Sequence, residues 1–253
     1  VSFIGSGNVA WGLAAALSAK HFELVEVASR TNESAASFAA KFKIPHQGTD
    51  CSKLSQPCDL LFLAVPDGTI KEVAKLLPDN LPGNPLVVHC SGATPLKALR
   101  RFGPRAGVLW PLQTFTKGVK VSLRSTPLFV ECSDERLAQW AKSISSQVHL
   151  ADSQERLRVH VGAVFVANFP NALYLLAEEL VKGTRGLDIS VYHPLMREAL
   201  EKAISTSPKE AQTGPARRHD AKTLERHGKL LLTESKEMLK VYELLSMVIQ
   251  KRY

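Results

Sequence analysis

Gly5-Ser6-Gly7-Asn8-Val9-Ala10 decides the reading of this chain. The stretch follows a short apolar run, Val1-Ser2-Phe3-Ile4, and precedes a small-residue amphipathic run, Trp11 to Leu17. Strand, glycine turn and helix in that order are the context a dinucleotide-binding turn requires. Gly5 permits the tight turn, Gly7 lets a pyrophosphate lie against bare backbone, and Ala10 lets the helix pack close to the strand. The free N–H groups of the first helical turn then face the phosphates, with the helix dipole favouring negative charge. The pattern predicts that Gly5, Ser6, Gly7, Asn8 and Val9 hold a pyrophosphate. An unliganded glycine turn in an ordinary βα unit is the plainer alternative.

The next strand-like run, Leu24 to Arg30, ends in Ser29-Arg30-Thr31-Asn32. An NAD-preferring site usually ends this strand with Asp or Glu to grip the ribose 2′-OH. Two hydroxyls and a guanidinium suit a 2′-phosphate instead, because Arg forms forked, charge-assisted bonds to phosphate. Ser29, Arg30 and Thr31 are therefore the predicted 2′-phosphate residues, and NADP the expected cofactor. Arg30 as a solvated loop residue, with Thr31 or Asn32 capping the next helix, is compatible with that role. Glu26 is the competing acid, but it lies too early, inside the strand.

The whole chain of 253 residues is 45% hydrophobic and 22% charged, with a net charge of +8. Its Lys and Arg residues are dispersed and not interleaved with aromatics, which argues against nucleic acid. An anionic cofactor and an anionic small-molecule substrate explain the balance. No apolar run approaches the roughly 20 residues of a membrane span, so no membrane partner is expected. Cys51, Cys58, Cys90 and Cys132 are widely spaced and form no CxxC pair. No disulfide framework and no metal site are expected, and a reduced, cytoplasmic setting fits. The chain begins inside its first strand, so a trimmed N-terminus is expected and a preceding targeting segment stays open.

Up to about residue 150, strand-like and helix-like runs alternate. Asp59 to Val65 and Leu86 to Cys90 are strongly apolar, as strands covered on both faces are. Helices are expected over Glu33 to Phe42, Thr69 to Leu77, Thr94 to Arg101 (capped by Thr94) and Asp134 to Ile144. Further strands are expected over Arg105 to Leu109, Leu128 to Glu131 and Val148 to Leu150. Such alternation predicts a doubly wound parallel sheet. From Gln154 onward only helices are expected: Arg156 to Val181, Val191 to Ser205 and Ala221 to Gln250. The expected fold class is α/β: an N-terminal doubly wound Rossmann domain over residues 1–151, then an all-helical C-terminal domain over residues 152–253.

Ligands in doubly wound sheets sit at the carboxyl ends of strands. Three such ends carry polar, turn-prone residues: Val65-Pro66-Asp67, Cys90-Ser91-Gly92-Ala93 and Pro111-Leu112-Gln113-Thr114. Val65, Pro66, Ser91 and Gly92 are expected along the nicotinamide side, and Gln113 against the substrate. In the long helix His160, Val164, Asn168 and Asn171 recur at steps of four, four and three, which puts them on one face. His160, Asn168 and Asn171 are the candidate catalytic residues, able to donate a proton and polarise a carbonyl or imine. Purely structural roles near Pro170 are the alternative. The loop Thr213-Gly214-Pro215-Ala216-Arg217-Arg218-His219-Asp220 adds Thr213 and Arg218 as candidate substrate ligands, with Asp220 also a helix cap.

These motifs, together with Pro111-Leu112-Gln113-Thr114-Phe115, Asn168-Phe169 and Thr213-Gly214-Pro215, resemble the Rossmann-like proteins that carry a DUF2520 C-terminal domain. That group is similar to pyrroline-5-carboxylate reductase and the wider 6-phosphogluconate-dehydrogenase-like reductases. The resemblance covers nearly the whole chain and implies NADP binding, a helical second domain and dimerisation. The chain departs from it in having Trp110 where His often precedes Pro-Leu-Gln-Thr-Phe, and Arg218-His219-Asp220 where Arg-Gly-Asp is common. It also lacks the Lys-x-x-x-Asn pair of β-hydroxyacid dehydrogenases. The resulting expectation is an NADP-dependent oxidoreductase reducing a small carbonyl or imine. A non-catalytic NADP(H)-binding sensor is the alternative. A homodimer built through the helical domain is also expected. The sevenfold line Val159, Val166, Leu173 and Leu180, with Leu230, Leu231, Met238, Leu245 and Ile249, supplies more apolar surface than one layer of helices covers.

Overall fold

The structure is a computed structural model and describes residues 1–119, 121–182 and 184–253. Its chain contacts divide it into two compact units, Val1–Val164 and Phe165–Tyr253.

The first unit is built on an eight-stranded sheet. Its strands are β1 (Ser2–Ile4), β2 (Glu26–Ala28), β3 (His46–Gly48), β4 (Leu60–Leu63), β5 (Leu86–His89), β6 (Ala106–Pro111), β7 (Leu128–Cys132) and β8 (Val148–Leu150), and their order across the sheet is 3-2-1-4-5-6-7-8. The helices are α1 (Asn8–Ser18), α2 (Asn32–Phe42), α3 (Ile70–Leu76), α4 (Glu135–Ile144) and α5 (Ser153–Ala163). Burial follows the pleat. Phe3, Leu60, Phe62, Leu86 and Val88 join one core with Leu13, Leu17 and Phe38, while Ile4, Leu61, Leu63 and Val87 join a second core with Ile70, Leu99 and Phe102. Neighbouring residues thus face opposite cores, which is why these strands read as unbroken apolar runs.

Strand order reverses between β1 and β4, so the crevice beyond Ile4 and Leu63 is the topological switch point. Several local expectations need correction. β7 runs antiparallel to β6, so the sheet is not wholly parallel. β3 has no apolar signature, because His46 and Gln47 are exposed, yet it pairs with β2. Thr94 caps no helix: its N–H donates to Ser91 Oγ at 2.8 Å, and the following turn of 3₁₀ helix, Leu96–Arg105, has Pro95 at its start.

The second unit contains α6 (Phe169–Lys182), α7 (His193–Ser205), α8 (Pro208–Ala211), α9 (Ala221–Glu234) and α10 (Lys236–Gln250). The single helix expected over Ala221 to Gln250 is two helices. At Ser235 the backbone is extended (φ −160°, ψ 124°), and the Ser235 hydroxyl accepts from the N–H groups of Glu237 and Met238 to start α10. Among the described residues of this unit, only Val181, Ala216, Leu231 and Met238 are buried apolar side chains. Val166, Leu195 and Ile204 are 78%, 65% and 76% exposed.

Taken through its π-turn at Val164–Asn168, the stretch Ser153–Lys182 is long and apolar enough, by length and composition, to cross a membrane. That differs from the expectation that no run approaches this length. The same helix starts on a capping box, Asp152 with Glu155, and buries Arg156 completely against the sheet.

Candidate cofactor and active site

The glycine turn forms as its sequence dictates. Gly5 has φ +94°, and a Cβ there would lie 2.3 Å from the Ala64 carbonyl oxygen. Only glycine supplies both the conformation and the clearance. The turn is fixed at the sheet by Gly5 N–H donating to Ala28 O at 2.8 Å and Ala64 N–H donating to Ile4 O at 2.8 Å. Gly7 starts α1 at an ordinary φ of −78° with no side-chain cap, which leaves first-turn N–H groups open. A Cβ on Gly7 would meet nothing within 4 Å. Gly7 thus borders open space, and Ala10 is fully buried against the core.

That space is a cavity of about 480 Å³ lined by Gly5, Ser6, Gly7, Ser29, Arg30 and Thr31, with Val65 and Pro66 on its far wall. Ser6 Oγ and Ser29 Oγ are 2.7 Å apart and tie the glycine turn to the end of β2. Thr31 caps α2, accepting from Ser34 N–H at 3.2 Å, and its hydroxyl donates to Ser34 Oγ at 2.9 Å. Arg30 is exposed at the rim and takes part in no ion pair among the described residues. The donor set, a guanidinium with three hydroxyls at a helix start, fits a 2′-phosphate, and the open cradle at Gly7 fits a pyrophosphate. Ser34, Thr49, Cys51 and Thr69 also line the cavity and were not picked out from sequence. Ser34 had a signal, its spacing of three from a capping Thr. Glu26 is removed as a ribose acid. Its carboxylate accepts from Ser55 N–H at 3.0 Å and Gln56 N–H at 3.1 Å, below the sheet's carboxyl edge.

Asn8 and Val9 do not line this cavity. Asn8 Oδ1 instead accepts from Lys117 N–H at 3.2 Å, pinning the loop that follows β6. Gln113, in the same loop, is exposed, and its Oε1 accepts from Thr114 N–H at 2.8 Å.

Ser91 and Gly92 lie one strand over, at the end of β5. Ser91 is buried, and its Oγ accepts from the N–H groups of Ala93 and Thr94 at 3.2 and 2.8 Å, so the hydroxyl shapes its own turn. Gly92 is where His160 comes in. A Cβ on Gly92 would lie 2.7 Å from His160 Nδ1 and 2.6 Å from Trp110 Cε2. The Trp110 and His160 rings meet edge to face at 5.5 Å. Absence of a side chain at Gly92 is therefore what brings the His160 imidazole to this strand end.

A buried network holds the start of α5 in that position. Arg156 is fully buried, pairs with Glu131 and donates to the Thr94 carbonyl at 2.7 Å. Ser153 Oγ donates to the same Glu131 carboxylate at 2.9 Å and accepts from Leu96 N–H at 3.1 Å. His160 follows Arg156 by one helical turn, so the network sets its height above the sheet. Behind Ser91, His89 is fully buried, and its Nδ1 accepts from Ser91 N–H at 3.2 Å. Burial, reinforced by the Arg156 charge, lowers its pKa to about 3 and keeps it neutral.

The expected stripe of His160, Val164, Asn168 and Asn171 is interrupted. Val164–Asn168 form a π-turn, which holds an extra residue and breaks the ladder of fours. Asn168 and Asn171 are exposed and belong to the second unit. In that unit Arg217 donates to the Gln212 carbonyl and lies 5.0 Å from the Tyr253 ring centroid, while Asp220 caps α9 by accepting from Thr223 N–H at 3.1 Å. Thr213 and Arg218 are exposed.

Residues 1–92 match the family model described as NADP oxidoreductase, coenzyme F420-dependent, and residues 126–249 match the DUF2520 model, a domain of unknown function. Among curated proteins none matches the chain. Among solved structures, a Bacteroides fragilis protein assigned as an NADP oxidoreductase is 34% identical, with 99% of this chain and 97% of that one covered and a TM-score of 0.84. A Thermotoga maritima protein is 21% identical, with coverage of 99% and 97% and a TM-score of 0.74. A pyrroline-5-carboxylate reductase from Coxiella burnetii shares the fold at 17% identity, with coverage of 99% and 96% and a TM-score of 0.53. By its glycine turn, its strand order and the 34% identity over nearly its full length, the chain belongs to the Rossmann-like NADP oxidoreductases that carry a DUF2520 domain.

Proposed function

We propose that the protein reduces a small carbonyl or imine with NADPH. The observation that carries this reading is the approach of His160 to Gly92 and Trp110, one strand away from the dinucleotide cavity. NADPH supplies the hydride when bound. Ser6 and the open N–H groups at the start of α1 hold the pyrophosphate, and Arg30, Thr31 and Ser34 hold the 2′-phosphate. Val65, Pro66 and the backbone at Ser91 and Gly92 orient the nicotinamide side. His160 donates the proton that completes reduction, and Trp110 shields that position from water.

Residues 1–151 serve as the cofactor domain and residues 152–253 as the substrate and dimerisation domain. Asn168, Asn171, Gln113, Thr213 and Arg218 are assigned to substrate orientation, with Arg218 as the anchor for an anionic group. A homodimer accounts for the exposed apolar residues of α6, α7, α9 and α10, since so few apolar side chains are buried in that unit. A reducing compartment suits four free thiols.

The test separates binding from chemistry. His160→Ala should bind NADPH as the parent does, while NADPH oxidation with cyclic imines or 2-oxo acids falls by about a hundredfold or more. Turnover unchanged in His160→Ala would remove His160 from the reaction. Tight NADPH binding by the parent with no oxidation by any carbonyl or imine would make the protein a sensor.

A further inference from the structure

A second cavity in the first unit, larger than the one at the glycine turn, lies apart from it. It encloses about 630 Å³ between the outer face of α1, the end of α2 and the segment that follows β6. This size is in the range of small-molecule sites. Its floor is apolar, made by Trp11, Ala15, Phe42, Val121 and Ile144. Its rim carries Lys20, Lys41 and Arg124, and no carboxylate lines it among the described residues. None of these three cations is in an ion pair among the described residues. An apolar floor under unpaired cations complements a molecule with an apolar body and an acidic head.

The cavity also touches the element that grips the glycine turn. The Phe115 ring occupies the place of a Gly12 Cβ, which would lie 2.3 Å from it. Lys117 Nζ stands 4.7 Å from the Trp11 ring centroid, and Lys117 N–H donates to Asn8 Oδ1 at 3.2 Å. A molecule in the cavity would contact Trp11 and Ala15 on α1 and Val119, Val121 and Arg124 on the segment at once. It would brace that segment against Asn8, next to Gly7 of the pyrophosphate cradle.

We propose that this cavity is a second ligand site, for a small amphipathic carboxylate, and that filling it tightens NADPH binding. Coupling between two sites is reciprocal, so NADPH must tighten the carboxylate by the same factor.

Decanoate is the probe, and the indole N–H resonances of Trp11, Trp110 and Trp140 in ¹H–¹⁵N spectra of the intact chain are the readout. The Trp11 resonance should shift saturably with decanoate and far less with decanol. Ala15→Phe, at an exposed helix position, should abolish the shift by filling the cavity. Lys41→Glu combined with Arg124→Glu should weaken decanoate by about tenfold or more. At saturating decanoate the Kd for NADPH should fall by about twofold or more, and NADPH should lower the Kd for decanoate equally. A Trp11 resonance that does not move up to about 10 mM decanoate would overturn the site. So would an equal response to decanol or a full response in folded Ala15→Phe. An NADPH affinity unchanged at saturating decanoate would overturn the coupling.

Discussion

Replacing each of the first two glycines of the turn by alanine should separate folding from binding, because the two positions meet opposite surroundings. At Gly5 the backbone has φ +94°, and the new Cβ would stand 2.3 Å from a backbone oxygen, Ala64 O, which cannot swing aside as a side chain does. Forcing an L-residue into that region costs about 1–3 kcal/mol. Overpacking adds about 1–3 kcal/mol. At roughly 2–4 °C per kcal/mol for a domain of this size, Gly5→Ala should lower Tm by about 5–20 °C. At Gly7 the φ of −78° suits alanine, and a Cβ meets nothing within 4 Å. Lower unfolded-state entropy contributes about 0.4–1 kcal/mol, and a poorer helix cap removes a similar amount. Gly7→Ala should therefore melt within about 4 °C of the parent. Its methyl nevertheless stands in the cradle. Loss of one charge-assisted bond to the pyrophosphate, about 1.5–3 kcal/mol, weakens NADPH by roughly ten- to a hundredfold. Differential scanning fluorimetry and NADPH fluorescence titration on both variants make the comparison. Folded Gly7→Ala that binds NADPH within about threefold of the parent would refute the cradle. An unchanged Tm in Gly5→Ala would refute the clash.

Arg30→Ala should weaken NADPH by about ten- to a hundredfold and leave NADH unaffected, since one charge-assisted phosphate contact is lost. Comparing the two titrations checks it, and a parallel loss for both cofactors would contradict it. His89, neutral in the fold with its pKa lowered from 6.5 to about 3, binds its proton in the unfolded chain first. Stability should therefore fall as pH drops from about 6.5 towards 3, by up to about 1.4 kcal/mol per unit from this residue. Urea melts across that window should show a shallower slope in His89→Gln. Light scattering at micromolar concentration should give twice the 27.7 kDa chain mass, and a particle of one chain mass would contradict the dimer.

The glycine turn, the doubly wound alternation and a helix cap at Thr31 or Asn32 were legible because each is a local demand on backbone geometry or packing pattern. Gly5 must be glycine whatever lies elsewhere in the chain. Arg156 was not legible, since a charged residue on a helix ordinarily reads as a solvated face. Its partner Glu131 lies 25 residues earlier in another element. The π-turn escaped for a related reason: Val164-Phe165-Val166-Ala167-Asn168 is equally compatible with α-helical periodicity. The break at Ser235 carried a capping signal, but one polar residue between two apolar-periodic runs also fits a continuous helix surface. Gly92 reads in sequence as a turn residue on the nicotinamide side. That it makes room for His160, 68 positions on, became visible only in three dimensions.

Hydride transfer itself is the most direct test of the proposed reaction. NADPH carrying deuterium at the transferring C4 position should be oxidised by a cyclic imine or 2-oxo acid, and the isolated product should carry one deuterium, about 1 Da heavier than the product made with unlabelled NADPH. NADPH held at micromolar affinity with no deuterium in any product, across both substrate classes, would contradict it.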